Sequence, residues 1–255
     1  QKQRLKAALH EMQPDLLAVQ ELENDGFGAH SAASDLLELL TGAAEGGWRV
    51  ASLPGKGIGP DEITVGLFYR SEKLEPLGPP ATLDTPPFDD LSRQPLAQLF
   101  RDRRSGQSFL VAVNHLKSKG SCPRTGENRD QEDGQGCWNP ARSEAVQDLT
   151  AWLRSLASRA GTRHILVLGD MNALRREDPI LEFLDAGYVD VVEQLNGLPQ
   201  YTFVYRGLAG TLDYAFASPG LARFARQAQI WHINADWPPG QILPAPWLRM
   251  SDHDP

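Results

Sequence analysis

Three apolar runs in this 255-residue sequence end in side chains that can do chemistry. LLAVQE closes on Glu21, FLVAVNH on Asn114 and His115, and ILVLGDMN on Asp170 and Asn172. Each reads as a buried strand that carries an ionisable or amide group to the point where it leaves the core. A carboxylate buried there is costly unless it is paired or bound to a metal. One such ending is an ordinary turn signal, because Asp and Asn favour turns. Three, joined by TLDY (Thr211 to Tyr214) and SDHDP (Ser251 to Pro255), exceed what turns explain. Carboxylates, amides and imidazoles at strand ends are the groups needed for binding a hard cation and for moving protons.

The elements that must position them follow from periodicity. Residues 2–12 place Leu5, Ala8, Leu9 and Met12 at helical spacing, and Pro14 ends the pattern. Residues 16–20 read as a short buried strand, 30–41 as a second amphipathic helix, and 48–52 and 63–70 as strands separated by the Gly/Pro stretch 54–60. Residues 78–92, with four prolines, read as irregular. Residues 95–116 read as a hairpin turning at Ser105-Gly106. A polar loop follows at 117–139, then a helix at 140–159 opened by Pro140. Strands at 164–169, 211–217 and 225–233, with a helix at 178–186, complete the core; the Pro-rich stretch 237–246 is loop. FLVAV and ILVL are apolar on both faces, so their sheets must be covered on both sides. With no repeat and no clean linker, the expectation is one layered α/β domain built on mixed sheets.

Composition narrows the function. There are 25 Lys and Arg against 33 Asp and Glu, a net charge of −8, with 41% hydrophobic residues. This excludes a disordered chain and one that grips nucleic acid by broad electrostatic attraction. Residues 101–129 nevertheless hold seven basic residues against two acidic ones. Arg101, Arg103 and Arg104 belong to the hairpin tip. Lys117, Lys119, Arg124 and Arg129 lie in the loop beyond His115 and make it locally basic. No apolar run approaches the ~18 residues of a membrane span, and any signal peptide is expected to lie outside residues 1–255. Both cysteines, Cys122 and Cys137, fall in the polar loop. Either they are free thiols or they form a disulfide worth about 3 kcal/mol. An exposed loop is a poor place for thiols, so the disulfide and an oxidising compartment, extracellular or periplasmic, are expected.

The elements QE (Gln20-Glu21), NHLKSKG (Asn114 to Gly120), GDMNA (Gly169 to Ala173), TLDY and SDHDP, in this order, resemble the endonuclease/exonuclease/phosphatase superfamily typified by pancreatic deoxyribonuclease. The resemblance spans almost the whole chain. The cysteine loop followed by CWNPAR (Cys137 to Arg142), with His115 where abasic-site repair enzymes carry tyrosine, is closest to the secreted bacterial extracellular nucleases.

The resemblance implies a four-layer α/β/β/α sandwich of two packed mixed sheets flanked by helices. It also implies that the family's opening strand, with an Asn beside the metal, and its closing strand fall outside residues 1–255. Glu21 would bind a hard divalent cation, Mg²⁺ or else Mn²⁺ or Ca²⁺, with Asp252 near it. Asp170 and Asn172 would position the attacking water and contact the scissile phosphate. His115 and His253 would flank that phosphate as proton-transfer or charge-stabilising groups, and Asp213 would hold the His253 ring. Asp61 or Glu62 would orient His115, and Arg93, Lys117, Asn139 and Arg142 would contact substrate phosphate. The implied activity is that of a monomeric, secreted endonuclease cleaving DNA, or RNA, by in-line attack of water. Two other functions compete. One is a phosphodiesterase or phosphatase acting on a lipid head group or phosphorylated sugar, with Trp231, Trp237 and Trp247 facing a membrane; the other is a catalytically idle binding domain.

Overall fold

The computed structural model describes residues 2–43, 47–53, 57–238 and 244–255. Parts of two expected loops, 54–60 and 237–246, lie outside those residues. In chain order the elements are α1 (Lys2–Met12), β1 (Leu16–Glu23), α2 (Ala32–Ala43), β2 (Trp48–Val50), β3 (Ile63–Arg70), β4 (Leu74–Pro76), β5 (Ala81–Thr82), β6 (Leu96–Asp102) and β7 (Ser108–His115). Then come α3 (Asn139–Arg159), β8 (Ile165–Asp170), α4 (Asp178–Asp185), β9 (Val189–Asp190), α5 (Val191–Asn196), β10 (Phe203–Tyr205), β11 (Leu208–Gly210), β12 (Asp213–Ala217) and α6 (Pro219–Ala222).

Four layers result. A three-stranded sheet, ordered β1-β3-β2, packs on a seven-stranded sheet ordered β4-β6-β7-β8-β12-β9, with β5 on β6. Alternation along β7 shows why both its faces are apolar. Val111 and Val113 enter the core between the sheets, with Val65, Leu67 and Phe100. Leu110 and Ala112 face the other way, onto Ala145, Val146, Leu149, Leu153 and Ala157 of α3. Those five recur at helical spacing on one stripe of α3, and each buried leucine contributes roughly 2 kcal/mol. On the outer face of the small sheet, Phe68 and Trp48 pack against Leu9 of α1 and Leu36 and Leu40 of α2.

Several expectations need correction. Only the large sheet is mixed: β7 and β8 pair in parallel, and every other described pairing is antiparallel. A parallel pair needs a long crossover, and α3 supplies the one between β7 and β8. Residues 225–233 form no strand. Their apolar side chains Trp231 and Ile233 instead join Ala8, Trp237, Trp247 and Leu248 in a loop-borne cluster against α1. The stretch 78–92 is mostly irregular, yet Ala81 and Thr82 pair with Ala97 and Leu96. The β10–β11 hairpin, β9 with α5, and β4 had no signal longer than a few residues.

The cysteines form a disulfide across a sequence separation of 15. It closes the loop between His115 and α3, with Cys137 buried and Cys122 exposed.

Candidate active site

Register brings the site together. His115 on β7 pairs with Asp170 on β8, and Asp170 pairs in turn with Asp213 on β12. Three adjacent strands therefore present one row of polar residues at the rim of the sheet. Because side chains alternate, His115 continues the row of Val111 and Val113, and Asp170 that of Leu166 and Leu168. All four of those apolar residues belong to the core between the sheets. The apolar interlayer thus ends in an imidazole and two carboxylates.

Close backbone approach makes this row feasible. Gly169 has φ +136, and a Cβ there would lie 2.0 Å from the Asn114 carbonyl oxygen. Only glycine fits between β7 and β8 at that position. Asn172, at φ +48, turns the chain just after β8, a conformation asparagine tolerates. Its backbone N–H donates to Asp170 Oδ1 at 2.7 Å, and its Nδ2 donates to Asp170 Oδ2 at 3.2 Å and to the Leu116 carbonyl at 3.0 Å.

His253 reaches the row from the far end of the chain. It forms an isolated bridge with Phe203, and its Nδ1 lies 2.8 Å from Asp213 Oδ2. Burial acts to lower this imidazole, but the Asp213 hydrogen bond and charge outweigh it and raise the pKa to about 9. His115 is the opposite case. Burial, then the positive charges of Arg93 and His253, lower it to about 4. Its Nε2 sits 3.6 Å from Asp170 Oδ2, outside hydrogen-bond range. At neutral pH one imidazole is cationic and the other neutral. Asp170 is pushed well above the usual carboxylate range by burial first and by the Asp213 charge second.

Asp170, Asp213 and His253 offer ligand atoms within 4.8 Å of one another. His253 Nδ1 is already engaged with Asp213, which leaves its Nε2 and the carboxylate oxygens of Asp170 and Asp213; carboxylate oxygens are the ligands a hard divalent cation takes. A buried carboxylate shifted toward protonation is relieved by such a cation, and the residues fit the group. Glu21 is exposed on a β-bulge where the β1–β3 register shifts between Val19 and Leu22, at φ +58. Its charge acts on Asp170, although it lies outside the three-residue cluster. Asp252 is exposed and also outside the cluster, and its charge acts on His253.

The remaining expected residues divide. Arg93 donates its backbone N–H to the His115 carbonyl at 3.1 Å. Asp61, expected to orient His115, instead lies 3.0 Å from Arg93 Nε as an ion pair, and no described side chain hydrogen-bonds His115 Nδ1. Lys117 stands beside them with its ammonium 5.0 Å from the Trp138 ring centroid. Arg142 is not a surface phosphate contact. It is fully buried and donates to the carbonyls of Lys117, Cys137 and Gln135, tying the disulfide loop to α3. Asn139 is likewise buried and donates to Asp178. Arg101 pairs with Glu75 on the hairpin at the other end of β7, as the direction of that strand requires.

Three positions were not singled out as site residues by the sequence. Buried Asn234 donates to the His253 carbonyl at 2.5 Å and accepts from the Met250 N–H at 3.0 Å. Asp254 accepts from the backbones of Asn234 and Ala235 and bonds His232 Nδ1 at 2.8 Å. Thr202 Oγ1 accepts from the Leu212 and Asp213 N–H groups, while its carbonyl accepts from Asp254 N–H. Together they fix His253 against Asp213. Asp254 stood inside SDHDP, but nothing marked Asn234 or Thr202 as its partners.

Comparison with known proteins agrees with this fold. Solved structures of similar fold include the human Nocturnin catalytic domain with bound sulfate (22% identity, 86% of this chain and 74% of that chain, TM-score 0.61). They also include a Bacteroides thetaiotaomicron mannosyl-6-phosphatase (15%, 86% and 76%, 0.59) and D. rerio TDP2 complexed with a single-strand DNA product (18%, 85% and 76%, 0.51). No curated protein sequence matches the chain. The family model for the Endonuclease/Exonuclease/phosphatase family matches residues 1–253, from α1 through His253, and the chain belongs to that family.

Proposed function

We propose that this chain is a secreted, metal-dependent phosphodiesterase that cleaves nucleic acid, DNA foremost, by in-line attack of water. Members of its family are hydrolytic phosphoesterases, generally dependent on a divalent metal. One observation carries the reading: His115, Asp170 and Asp213 form a single row across three strands, and His253 is latched to that row through Asp213.

Each residue then has a task. Asp170, its two oxygens fixed by Asn172, accepts a proton from the attacking water and aligns it. His253, held cationic by Asp213, donates through Nε2 to a non-bridging phosphate oxygen and stabilises the charge that grows in the transition state. Neutral His115 is held on the opposite side of Asp170 from Asp213 and contacts the phosphate without adding charge. Arg93 and Lys117 supply positive field for the neighbouring phosphates. Glu21, whose charge acts on Asp170, would hold the divalent cation on the side of that carboxylate, and the cation would supply Lewis-acid polarisation of the phosphate.

The disulfide supports an oxidising compartment. The lipid-directed alternative gains no support from its tryptophans: Trp231, Trp237 and Trp247 pack, partly buried, on Ile233, Leu248 and Ala8. Among the described residues no helix is long and apolar enough to cross a membrane.

The test is hydrolysis of plasmid DNA, single-stranded DNA, RNA, a phosphorylated sugar and a choline phosphodiester, each with Mg²⁺ and with chelator. Metal-dependent cleavage of nucleic acid, lost in Asp170→Ala and His253→Ala, is the expected result. Hydrolysis of only the sugar phosphate or the choline ester would refute the nuclease reading, and full activity in both variants would refute the site.

A further inference from the structure

The β10–β11 hairpin carries an exposed aromatic face that begins at the His253 imidazole. The Phe203 ring lies 4.5 Å from that imidazole, centroid to centroid, and Tyr205 continues from Phe203 at 6.2 Å with the rings inclined by 13°. Phe203 and Tyr205 share a face because strand side chains repeat every two residues. The register Tyr205↔Leu208 and Phe203↔Gly210 adds Leu208 to it, and at Gly210, opposite Phe203, the Leu174 side chain takes the space a Cβ would need, its Cδ2 2.6 Å from that position. Tyr205 is 58% exposed and Leu208 77%. The Arg206 guanidinium stands 5.2 Å from the Tyr205 ring centroid. Arg206 and Gly207 both have positive φ, at 49° and 81°, so the tip is a tight two-residue hairpin turn that holds the strands in a fixed register.

No described core residue covers this face. Core packing does not account for a ladder of aromatic rings that leads outward from the candidate phosphate-binding imidazole and ends in a cation.

We propose that this face is a stacking platform for unpaired nucleobases next to the scissile phosphate, and that it directs the enzyme toward single-stranded nucleic acid. The inference rests on the nuclease reading above and deepens it. A planar base stacks on an exposed tyrosine whatever its sequence, and an arginine beside the ring complements the following phosphate. Bases inside a duplex are already stacked and cannot make this contact. The net charge of −8 opposes an anionic lipid surface as the occupant.

The experiment uses the whole chain with Mg²⁺ and a labelled single-stranded oligonucleotide, alongside the same oligonucleotide with abasic residues flanking the cleaved phosphate. Tyr205→Ala is expected to raise KM on the base-bearing strand about tenfold, the effect of losing one stacked base, with kcat within about twofold. Tyr205→Phe is expected to restore KM, and neither variant to change cleavage of the abasic strand. Equal kcat/KM for the two oligonucleotides, with no effect of Tyr205→Ala, would overturn the platform while leaving the nuclease reading intact. Failure of the wild type to cleave either strand, with hydrolysis of a phosphorylated sugar, would overturn both. Binding of phosphatidylcholine vesicles that is lost in Leu208→Ala would identify the face as a lipid surface and overturn the proposal.

Discussion

Asp213→Asn isolates the charge that governs His253. The substitution keeps the size of the side chain and its 2.8 Å contact with Nδ1 but removes the negative charge. In the parent protein burial lowers the His253 pKa and Asp213 more than reverses this, to about 9. Without that charge the imidazole is expected to titrate well below 9, with burial lowering it and only the charges of Asp170 and Asp252 still raising it. The interval between 6.5 and about 9 corresponds to roughly 3 kcal/mol at 1.36 kcal/mol per pH unit. Both side chains are less than a quarter exposed, so solvent screening removes little of it. The sign follows from linkage. A group whose pKa is raised by folding adds stability that is complete below pH 6.5 and is lost as pH rises through about 9. The parent protein therefore loses about 3 kcal/mol from this group between pH 6.5 and 9.5, and Asp213→Asn loses less. NMR titration of the histidine Cε1 protons in chelator, with His253 assigned by loss of its signal in His253→Gln, reads the pKa; urea denaturation at the two pH values reads the stability. Phosphodiesterase activity at pH 7 is expected to fall on the order of 10⁴-fold, as when a triad aspartate is amidated. A His253 titration that moves by less than about half a pH unit in Asp213→Asn would refute the assignment of its charge to Asp213.

Gly169→Ala is expected to lower stability by about 3 kcal/mol or more in urea denaturation, because its Cβ would meet the Asn114 carbonyl oxygen at 2.0 Å at φ +136. A divalent cation at 100 times its dissociation constant is expected to stabilise the protein by about 2.7 kcal/mol. Differential scanning fluorimetry should show a larger shift at pH 8 than at pH 5, since protons compete for the carboxylates, and a much smaller one in Asp170→Asn. Replacing Cys122 by Ser and Cys137 by Ala together is expected to cost about 3 kcal/mol in nonreducing urea denaturation. The same variant should raise KM for DNA more than it lowers kcat, because the closed loop steadies Lys117 beside His115.

Much of the molecule was legible in its residues because the strands are apolar on both faces. FLVAV and ILVL can only be interior strands, and a helix with buried groups from Ala145 to Ala157 can only cover them. The same logic identified their polar endings, Glu21, His115 and Asp170, as misplaced for a core and therefore meaningful. Segments without such a pattern were not legible. Residues 225–233 have enough apolar side chains to read as a strand, yet their burial comes from a loop cluster that Ala8 of α1 completes from the start of the chain. Arg142 looked like a phosphate contact because it stands at the start of a helix, where anions are favoured. Its burial depends on three carbonyls from a loop whose path is set by the disulfide.

By itself, then, the chain's chemistry specifies which residues reach the rim: polarity at the end of an apolar strand is a local property, written in consecutive residues. Which of them meet is a matter of register and of distant loops. Asp61 turns to Arg93 rather than His115, Asn234 and Thr202 brace His253, and Phe203 brings an aromatic hairpin against it. Those pairings join residues far apart along the chain, so only the packed sheets, which hold their strand ends at fixed spacing, determine them.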